Sequence, residues 1–275
     1  MTEPYAVFGH PISHSLSPRI HNLFAKQTGQ SNMTYTAIDV PGQCFDQALT
    51  KFYQQGGKGL NCTVPLKELA FKRADHLSER ARRCGAVNTL VFREDGQIDA
   101  DNTDGIGLLR DLTHNLKIQI NKQKLLILGA GGATRGILES LLTEQPEQIV
   151  IANRTVSKAT KLAELFSDLG EVTGCGYDDL KAQRFDIVVN ATAASLHGQL
   201  PPLPDTLLAE DACCYDLAYS VQPTPFVSWG NQYGAAVSTD GIGMLVEQAA
   251  EAFLIWRGIR PETMPLINDS RLKQG

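Results

Sequence analysis

A run of glycines after an apolar segment is the first feature of this chain that could bind a ligand. Residues 125–128 are wholly apolar, and residues 134–142 have a helical pattern. Between them lie Gly129, Ala130, Gly131, Gly132 and Ala133. Glycines at such a turn let backbone amides and a helix N-terminus reach a pyrophosphate, since side chains would block its approach and the helix dipole favours an anion. This context predicts dinucleotide binding; the alternative is a tight turn without a ligand.

The end of the next apolar run, at 148–152, indicates which dinucleotide binds. It is followed by Asn153, Arg154 and Thr155, with Lys158 one turn further on. NAD-selective folds place an Asp or Glu about 20 residues after the glycines, whereas a guanidinium can bind a 2'-phosphate in a fork. We therefore expect NADP(H) rather than NAD as the cofactor. The alternative is a solvated arginine at a strand end, and the residues alone leave it open.

Polar loops in the first part of the chain could bind and turn over a small substrate. The segment GHPISHSLSP places Ser15 and Ser17 where hydroxyls and amides can bind a carboxylate, although Ser17 could also simply cap the helix that Pro18 begins. Lys67, in NCTVPLK, lies in a first helical turn, where the helix dipole disfavours a cation. Asp104, in DNTDG, offers a carboxylate that could share one hydroxyl with Lys67, which suits proton transfer coupled to hydride transfer. Singly, each residue is more typical of a surface charge or a cap.

Two α/β domains are predicted to position these residues. Continuous apolar strands alternate with helices over 104–237, which is typical of a doubly wound parallel sheet, so we assign this segment to a Rossmann-type NADP-binding domain. Residues 1–103 are predicted to form the substrate-binding catalytic domain. Residues 238–275 are predicted to be C-terminal helices that return to it. The predicted strands lie at 5–9, 33–40, 59–64, 125–128, 148–152, 185–190, 213–217 and 235–239, with a hairpin over 89–101.

Composition limits the partners and the compartment. The chain has 275 residues, a net charge of -5 and 43% hydrophobic residues, an ordinary composition for a globular protein. This balance disfavours nucleic acid or an anionic membrane as the main partner, and no apolar run approaches the ~20 residues of a membrane span. The six cysteines lack metal-ligand spacing and the start of the chain lacks a signal-peptide pattern. We expect a cytoplasmic protein without a metal, monomeric or homodimeric, that binds a small molecule.

The order of the motifs resembles that of the shikimate dehydrogenase family. GHPISHSLSP, NCTVPLK, GAVNTL, DNTDGIG, GAGGATRG, NRT and GMLVEQA follow one another in the family's order, and the resemblance covers about residues 5–256. It implies the NADP-dependent, reversible reduction of 3-dehydroshikimate to shikimate, on the route to aromatic amino acids. A quinate or dual quinate/shikimate dehydrogenase shares nearly every motif and stays an alternative. A methylenetetrahydrofolate dehydrogenase and a non-catalytic NADP(H)-binding protein are further alternatives.

The resemblance also implies roles for single residues. By motif position, Lys67 resembles the residue that transfers the proton, and Asp104 its partner on the reacting hydroxyl. The implied substrate contacts are Ser15, Ser17, Thr63, Lys67, Asn88, Asp104, Tyr219 and Gln248. The implied cofactor contacts, beyond the glycine turn and the NRT motif, are Leu217 and Gly241, near the nicotinamide, and Glu79.

One segment departs from the family's pattern. The family commonly has Asn-Ala-Thr-Ser followed shortly by Gly, whereas this chain reads NATAAS over 190–195. Ala193 cannot donate the hydrogen bond of a serine, and Ser195 adopts glycine conformations less easily. We expect the consequence to be confined to the geometry of this cofactor loop.

Overall fold

The computed structural model describes residues 2–269 and Leu272, and the chain divides into two compact α/β units. The first unit ends at Gly107 and resumes at Val246, whereas the second runs from Leu108 to Leu245. The sequence pattern places these boundaries at 103/104 and 237/238. The difference arises because both boundaries fall inside helices, Asp104–Arg110 and Ile242–Arg257, whereas a sequence pattern marks where elements begin and end.

The first unit contains a mixed six-stranded sheet. Its elements are β1 (Glu3–Gly9), α1 (Ser17–Gln27), β2 (Met33–Asp39), α2 (Phe45–Gln54), β3 (Gly59–Cys62), α3 (Lys67–Arg73), β4 (His76–Leu77), α4 (Glu79–Cys84), β5 (Thr89–Phe92) and β6 (Ile98–Asp101), followed by the boundary helix α5 (Asp104–Arg110). The strand order is β2-β1-β3-β5-β6-β4. β1 pairs in parallel with β2 and β3, while β5 pairs antiparallel with β3 and β6. The hairpin predicted over 89–101 is therefore present.

Side chains cover both faces of this first sheet. Ala6 and Phe8 of β1 pack into a buried cluster with Leu49 of α2, as expected for alternate residues of a buried strand. His21 of α1 lies in a separate group of rings, where it stacks on Tyr35 with ring centroids 4.1 Å apart. The polar residues at the strand ends therefore follow strands whose side chains are well packed.

The second unit contains an all-parallel six-stranded sheet. Its elements are a π-helical turn (Asp111–Asn115), β7 (Lys124–Leu128), α6 (Gly132–Leu142), β8 (Gln148–Ala152), α7 (Val156–Phe166), β9 (Val172–Cys175), β10 (Phe185–Asn190), β11 (Leu208–Asp216), α8 (Pro225–Gln232) and β12 (Val237–Thr239). The boundary helix α9 (Ile242–Arg257) and α10 (Met264–Ile267) follow. The strand order is β12-β11-β10-β7-β8-β9. Counted within this unit, that order is the 3-2-1-4-5-6 arrangement of Rossmann folds.

The burial of β7 shows that this sheet is covered on both faces. Leu125 and Ile127 lie in one buried cluster, whereas Leu126 and Leu128 lie in another. Because successive side chains of a strand point to opposite faces, the two clusters lie on the two sides of the sheet. The doubly wound architecture expected from the continuous apolar strands is therefore observed. Among the described residues, none of the helices has the length and apolarity that crossing a membrane requires.

Local details differ from the expectations where signals are short or ambiguous. Ser17 is the first residue of α1, which has no side-chain cap, so the alternative in which Ser17 only caps that helix is wrong. The short elements β4, β9, α4 and α8 have no predicted counterpart, since such segments carry too little periodicity.

Candidate active site and cofactor site

Lys67 and Asp104 form an ion pair in the first unit. The Lys67 Nζ donates a hydrogen bond to Asp104 Oδ2, although the two residues are far apart in the chain. The side chains of Lys67 and Asp104 are 28% and 13% exposed, so the pair is partly buried and still accessible to a ligand. The structure thus brings together the two groups that the sequence predicts for proton transfer.

The backbone on both sides of the pair is held by hydrogen bonds. Lys67 is the first residue of α3, and its carbonyl accepts a bond of 3.0 Å from the Val87 amide. Asp104 begins α5, and its amide donates to Asn102 Oδ1 at 3.1 Å. The Asn102 amide group in turn donates to the Ala86 carbonyl at 3.0 Å. The loop that follows α4 therefore positions the lysine and the aspartate together.

Asn88 connects the ion pair to Gln248, another predicted substrate residue of this unit. Its Nδ2 lies 2.9 Å from Asp104 Oδ1, 3.0 Å from Thr103 Oγ1 and 3.4 Å from Gln248 Oε1. Its Oδ1 accepts from the Thr103 amide at 2.9 Å and from Thr89 Oγ1 at 2.9 Å. Asn88 is 3% exposed, and these bonds fix its orientation. Lys67, Asn88, Asp104 and Gln248 consequently form one continuous polar cluster.

A second buried network of hydrogen bonds supports the loop that carries Ser15 and Ser17, called the serine loop below. The Ser17 amide donates to Ser15 Oγ at 3.3 Å, so the two serines are neighbours. Tyr35 is buried and donates its hydroxyl to Asn61 Oδ1 at 2.7 Å, and Asn61 Nδ2 donates to the Asn88 carbonyl at 2.9 Å. Burial raises the pKa of Tyr35 well above its usual value, while a hydrogen bond with Ser17 acts in the opposite direction. The hydroxyl of Tyr35 therefore stays protonated as a donor.

Thr63 directly follows the last residue of β3 and lies close to Gly9. Its amide donates to the Phe8 carbonyl at 2.9 Å. A Cβ at Gly9 would stand 2.5 Å from Thr63 Cγ2, so only glycine allows this close approach of the two strand ends. This contact fixes Thr63 beside the start of the GHPISHSLSP segment.

In the second unit the glycine turn leaves the N-terminus of α6 open. Gly129 has φ +100°, a conformation that favours glycine, and its amide donates to the Ala152 carbonyl at 2.8 Å. A Cβ added at Gly131 or Gly132 would meet no atom within 4 Å, and residues 131–133 are exposed. The turn follows β7, whose neighbour in the sheet is β10. The strand order reverses between these two strands, and such folds bind dinucleotides there. The amides at the start of α6 therefore fit a pyrophosphate.

The NRT motif lies at the end of β8, as predicted. Asn153 Nδ2 donates to the Thr155 carbonyl at 2.9 Å, which closes a turn before α7 and leaves Arg154 and Lys158 exposed. Arg154 lines a pocket of about 470 Å³ together with Tyr177 and Lys181. Burial raises the pKa of Tyr177, and the charge of Arg154 lowers it. Exposed cations beside a pocket fit the 2'-phosphate end of NADP.

The remaining predicted residues lie in different places. Leu217 follows β11, and a Cβ at Gly241 would stand 2.3 Å from its carbonyl oxygen, so these two predicted nicotinamide-side residues touch. Tyr219 belongs to the second unit and is partly buried, which raises the pKa of its hydroxyl. Glu79 is an exposed residue in the first turn of α4, where a helix dipole favours an acid whether or not a ligand binds.

Three family models match successive parts of the chain. They are the shikimate dehydrogenase substrate binding domain over residues 7–90, shikimate / quinate 5-dehydrogenase over 111–197 and the shikimate 5'-dehydrogenase C-terminal domain over 241–263. The shikimate dehydrogenase (NADP(+)) of Methylococcus capsulatus is 62% identical, over 97% of this chain and 96% of the relative. The chain belongs to the shikimate dehydrogenase family.

Solved structures agree with this assignment. An Ael1 enzyme from Pseudomonas putida has a TM-score of 0.90 and 46% identity, with 97% of both chains covered. Shikimate 5-dehydrogenase from Thermus thermophilus, solved in complex with NADP(H) and shikimate, has a TM-score of 0.87 and 32% identity over 98% of this chain and 99% of that one. The predicted family and α/β fold class are therefore confirmed.

Within the family, the NATAAS segment shows how this chain accommodates its departure. Ser195 begins a 3-10 turn, Ser195–His197, and its φ is not positive. The Ser195 hydroxyl donates to Asp216 Oδ2 at 2.5 Å and accepts from Asn190 Nδ2 at 3.1 Å. Ser195 therefore does not need a glycine conformation, and it contributes a hydroxyl that glycine lacks.

Sequence reasoning missed several buried polar residues that organise the site. Tyr35, Asn61 and Thr103 link the serine loop to the Lys67 cluster, but no role was predicted for them. A signal for Asn61 exists, since it is an amide inside an otherwise apolar strand. Asp216 likewise follows residues 212–215, the buried run of β11. Their partners come from distant segments, so the sequence does not show what they bind.

Proposed function

We propose that the chain catalyses the NADP-dependent, reversible reduction of 3-dehydroshikimate to shikimate, which makes it an oxidoreductase that acts on a CH–OH group. The observation that carries the proposal is the Lys67–Asp104 pair, joined through Asn88 to Gln248. Relatives named shikimate dehydrogenase (NADP(+)) with more than half of their residues identical to this chain support the substrate and the cofactor.

Lys67 is the proposed proton-transferring residue. When bound, NADPH supplies a hydride to the C3 carbonyl carbon. The Lys67 ammonium then protonates the alkoxide oxygen that develops there, and in the reverse direction the neutral amine takes that proton back. Asp104 accepts a hydrogen bond from the reacting hydroxyl and orients it. The half-buried position of both side chains supports this assignment.

The remaining groups of the first unit are proposed to bind the rest of the substrate. Ser15 and Ser17 would bind the carboxylate with hydroxyl and backbone donors, whereas Thr63, Asn88 and Gln248 would bind the ring hydroxyls. Asn88 is well suited because its amide is already oriented by Thr103. Tyr219 is proposed as a further substrate contact from the second unit.

The second unit is proposed to bind NADP(H). The amides at the start of α6, with Gly129, Ala130, Gly131, Gly132 and Ala133, would bind the pyrophosphate. Asn153, Arg154, Thr155 and Lys158 would bind the 2'-phosphate, and Leu217 and Gly241 would contact the nicotinamide side. Glu79 stays a predicted cofactor contact.

We also propose a cytoplasmic location for the protein. All six cysteines are free thiols, and burial raises the pKa of Cys213 and Cys214 to about 12, so these two stay protonated and unreactive. Such thiols are consistent with a reducing, cytoplasmic environment.

We propose that the protein acts as a monomer or a homodimer. Light scattering on the purified chain distinguishes the two states.

Replacement of Lys67 tests the proposed chemistry. Lys67→Ala should lower kcat for shikimate oxidation by about 100- to 10,000-fold with a modest change in KM, because positioned proton transfer contributes about that factor. The control is Lys72→Ala, an exposed lysine of the same helix. A kcat for Lys67→Ala within about tenfold of the unmodified chain, with the fold intact by circular dichroism, would exclude Lys67 as the proton donor.

A further inference from the structure

A buried carboxylate at the end of β11 has an unusual set of partners. Asp216 is fully buried and accepts hydrogen bonds from Ser195 Oγ at 2.5 Å and Thr224 Oγ1 at 2.7 Å. It also accepts from Asn190 Nδ2 at 3.1 Å and from the Ala218 amide at 3.1 Å. Two partners lie at or after the end of β10, one follows β11 and one caps α8. A single side chain thus joins three segments of the second unit.

The segment after β10 lies against the glycine turn. Asn190 Oδ1 accepts from the Thr192 amide at 3.2 Å and from Thr192 Oγ1 at 2.7 Å. A Cβ at Gly129 would stand 3.1 Å from Thr192 Cγ2 and 3.2 Å from the Ala191 carbonyl oxygen. The position of Thr192 beside Gly129 therefore depends on Asn190, which Asp216 holds from the other side.

The segment after β11 leads to the proposed nicotinamide side. The Leu217 amide donates to the Asn190 carbonyl at 2.9 Å, and the Gly241 amide donates to the Ala218 carbonyl at 3.0 Å. Because Asp216 accepts from the Ala218 amide, it fixes the backbone that carries Leu217 and touches Gly241. Asp216 consequently contacts both edges of the proposed cofactor site without lining it.

We infer that Asp216 is a positioning residue for NADP(H), acting through the hydroxyl of Ser195 to hold the loop after β10 against the glycine turn. The inference rests on the proposed function, in which that turn binds the cofactor. Ser195 stands where the family commonly has glycine, so this chain holds its loop with a hydrogen bond that a glycine at the same position cannot make.

The chemistry of the partners requires a carboxylate at this position. All four partners donate, and an ionised carboxylate offers two oxygens with room for about four bonds. An asparagine would offer one oxygen in place of two, so it could not accept all four bonds in this arrangement. Burial raises the pKa of Asp216, while the bonds from Ser195 and Thr224 lower it, so these donors favour the ionised form.

Ser195 allows the test to be made without removing the buried charge. Ser195→Ala should weaken NADP+ binding about tenfold, since it removes a hydrogen bond to a charged group that holds the loop. Ser195→Thr keeps the hydroxyl and should restore binding. Gln199→Ala changes an exposed side chain of the same segment and serves as the matched control. The KM for shikimate should change less than about twofold in every variant, which separates positioning of the cofactor from general destabilisation.

The experiment measures the Kd for NADP+ by titration calorimetry and the KM for shikimate on the full chain, with Arg154→Ala included. Weaker NADP+ binding in Ser195→Ala, restored in Ser195→Thr and absent in Gln199→Ala, supports the inference. Unchanged binding in Ser195→Ala, or an equal rise in the KM for shikimate, overturns it. If Arg154→Ala loses affinity while Ser195→Ala does not, only this inference fails. If Arg154→Ala also binds like the unmodified chain, the proposed cofactor residues fail as well.

Discussion

At the scale of single residues, the site combines side chains that the motifs predict with others that only the fold reveals. Lys67, Asp104 and Asn88 are predictable because each lies in a motif whose residue types suit the chemistry. Asn61 and Asp216 are not, since an amide or a carboxylate in an apolar strand takes its meaning from partners on other segments. The unpredicted residues are buried supports, and the predicted ones are those a ligand would touch.

Arg154 is expected to determine which cofactor the chain prefers. Arg154 is exposed beside a pocket at the end of β8, so its guanidinium can bind a 2'-phosphate with charge-assisted bonds. Arg154→Ala should raise the KM for NADP+ by about 10- to 100-fold and change the KM for NAD+ little, because NAD+ lacks that phosphate.

The measurement is a pair of initial-rate series with the two cofactors. Lys161→Ala alters an exposed lysine of the neighbouring helix α7 and controls for the general loss of positive charge. An equal rise in KM for both cofactors would show that Arg154 binds a part of the molecule that NADP and NAD share.

At the scale of elements, continuous apolar runs predict β7, β8 and β10 because these strands are buried on both faces. The two-residue strand β4 and the half-buried strand β9 escape prediction, since neither carries a long or regular apolar pattern. The support of the serine loop is likewise visible only in the structure, where helix α1 buries His21 against Tyr35.

The burial of His21 in helix α1 makes the free energy of unfolding depend on pH. Burial lowers the pKa of His21 from 6.5 to about 3, so between these values the unfolded chain binds a proton that the folded chain does not. Stability should therefore fall as the pH falls through this window, and His21 alone should cost about 2 kcal/mol between about pH 7 and about pH 5.

Urea unfolding at the two pH values tests this prediction. His21→Phe keeps a ring in the stack and removes the titrating group, so its free energy of unfolding should depend less on pH. His197→Asn, at an exposed position, should behave like the unmodified chain. The same pH dependence in His21→Phe and in the unmodified chain would show that His21 does not carry the effect.

At the scale of the whole molecule, the alternation of predicted strands and helices indicates two α/β domains, and the structure has two such units. Their boundaries lie inside α5 and α9, because the point at which packing passes from one core to the other leaves no mark in the sequence. Net charge also acts at this scale. The protein carries -5, while both proposed ligands are anionic, so local groups such as Arg154 and the start of α6 must bind them.

The proposed function requires that this chain oxidises shikimate with NADP+. The most direct test measures the initial rates of the unmodified full chain with shikimate and with quinate, each with NADP+ and with NAD+. Shikimate with NADP+ should have the highest kcat/KM of the four combinations. Equal rates with the two cofactors would contradict the role of the NRT motif, and a higher kcat/KM with quinate, or no shikimate-dependent reduction of NADP+, would contradict the proposed function.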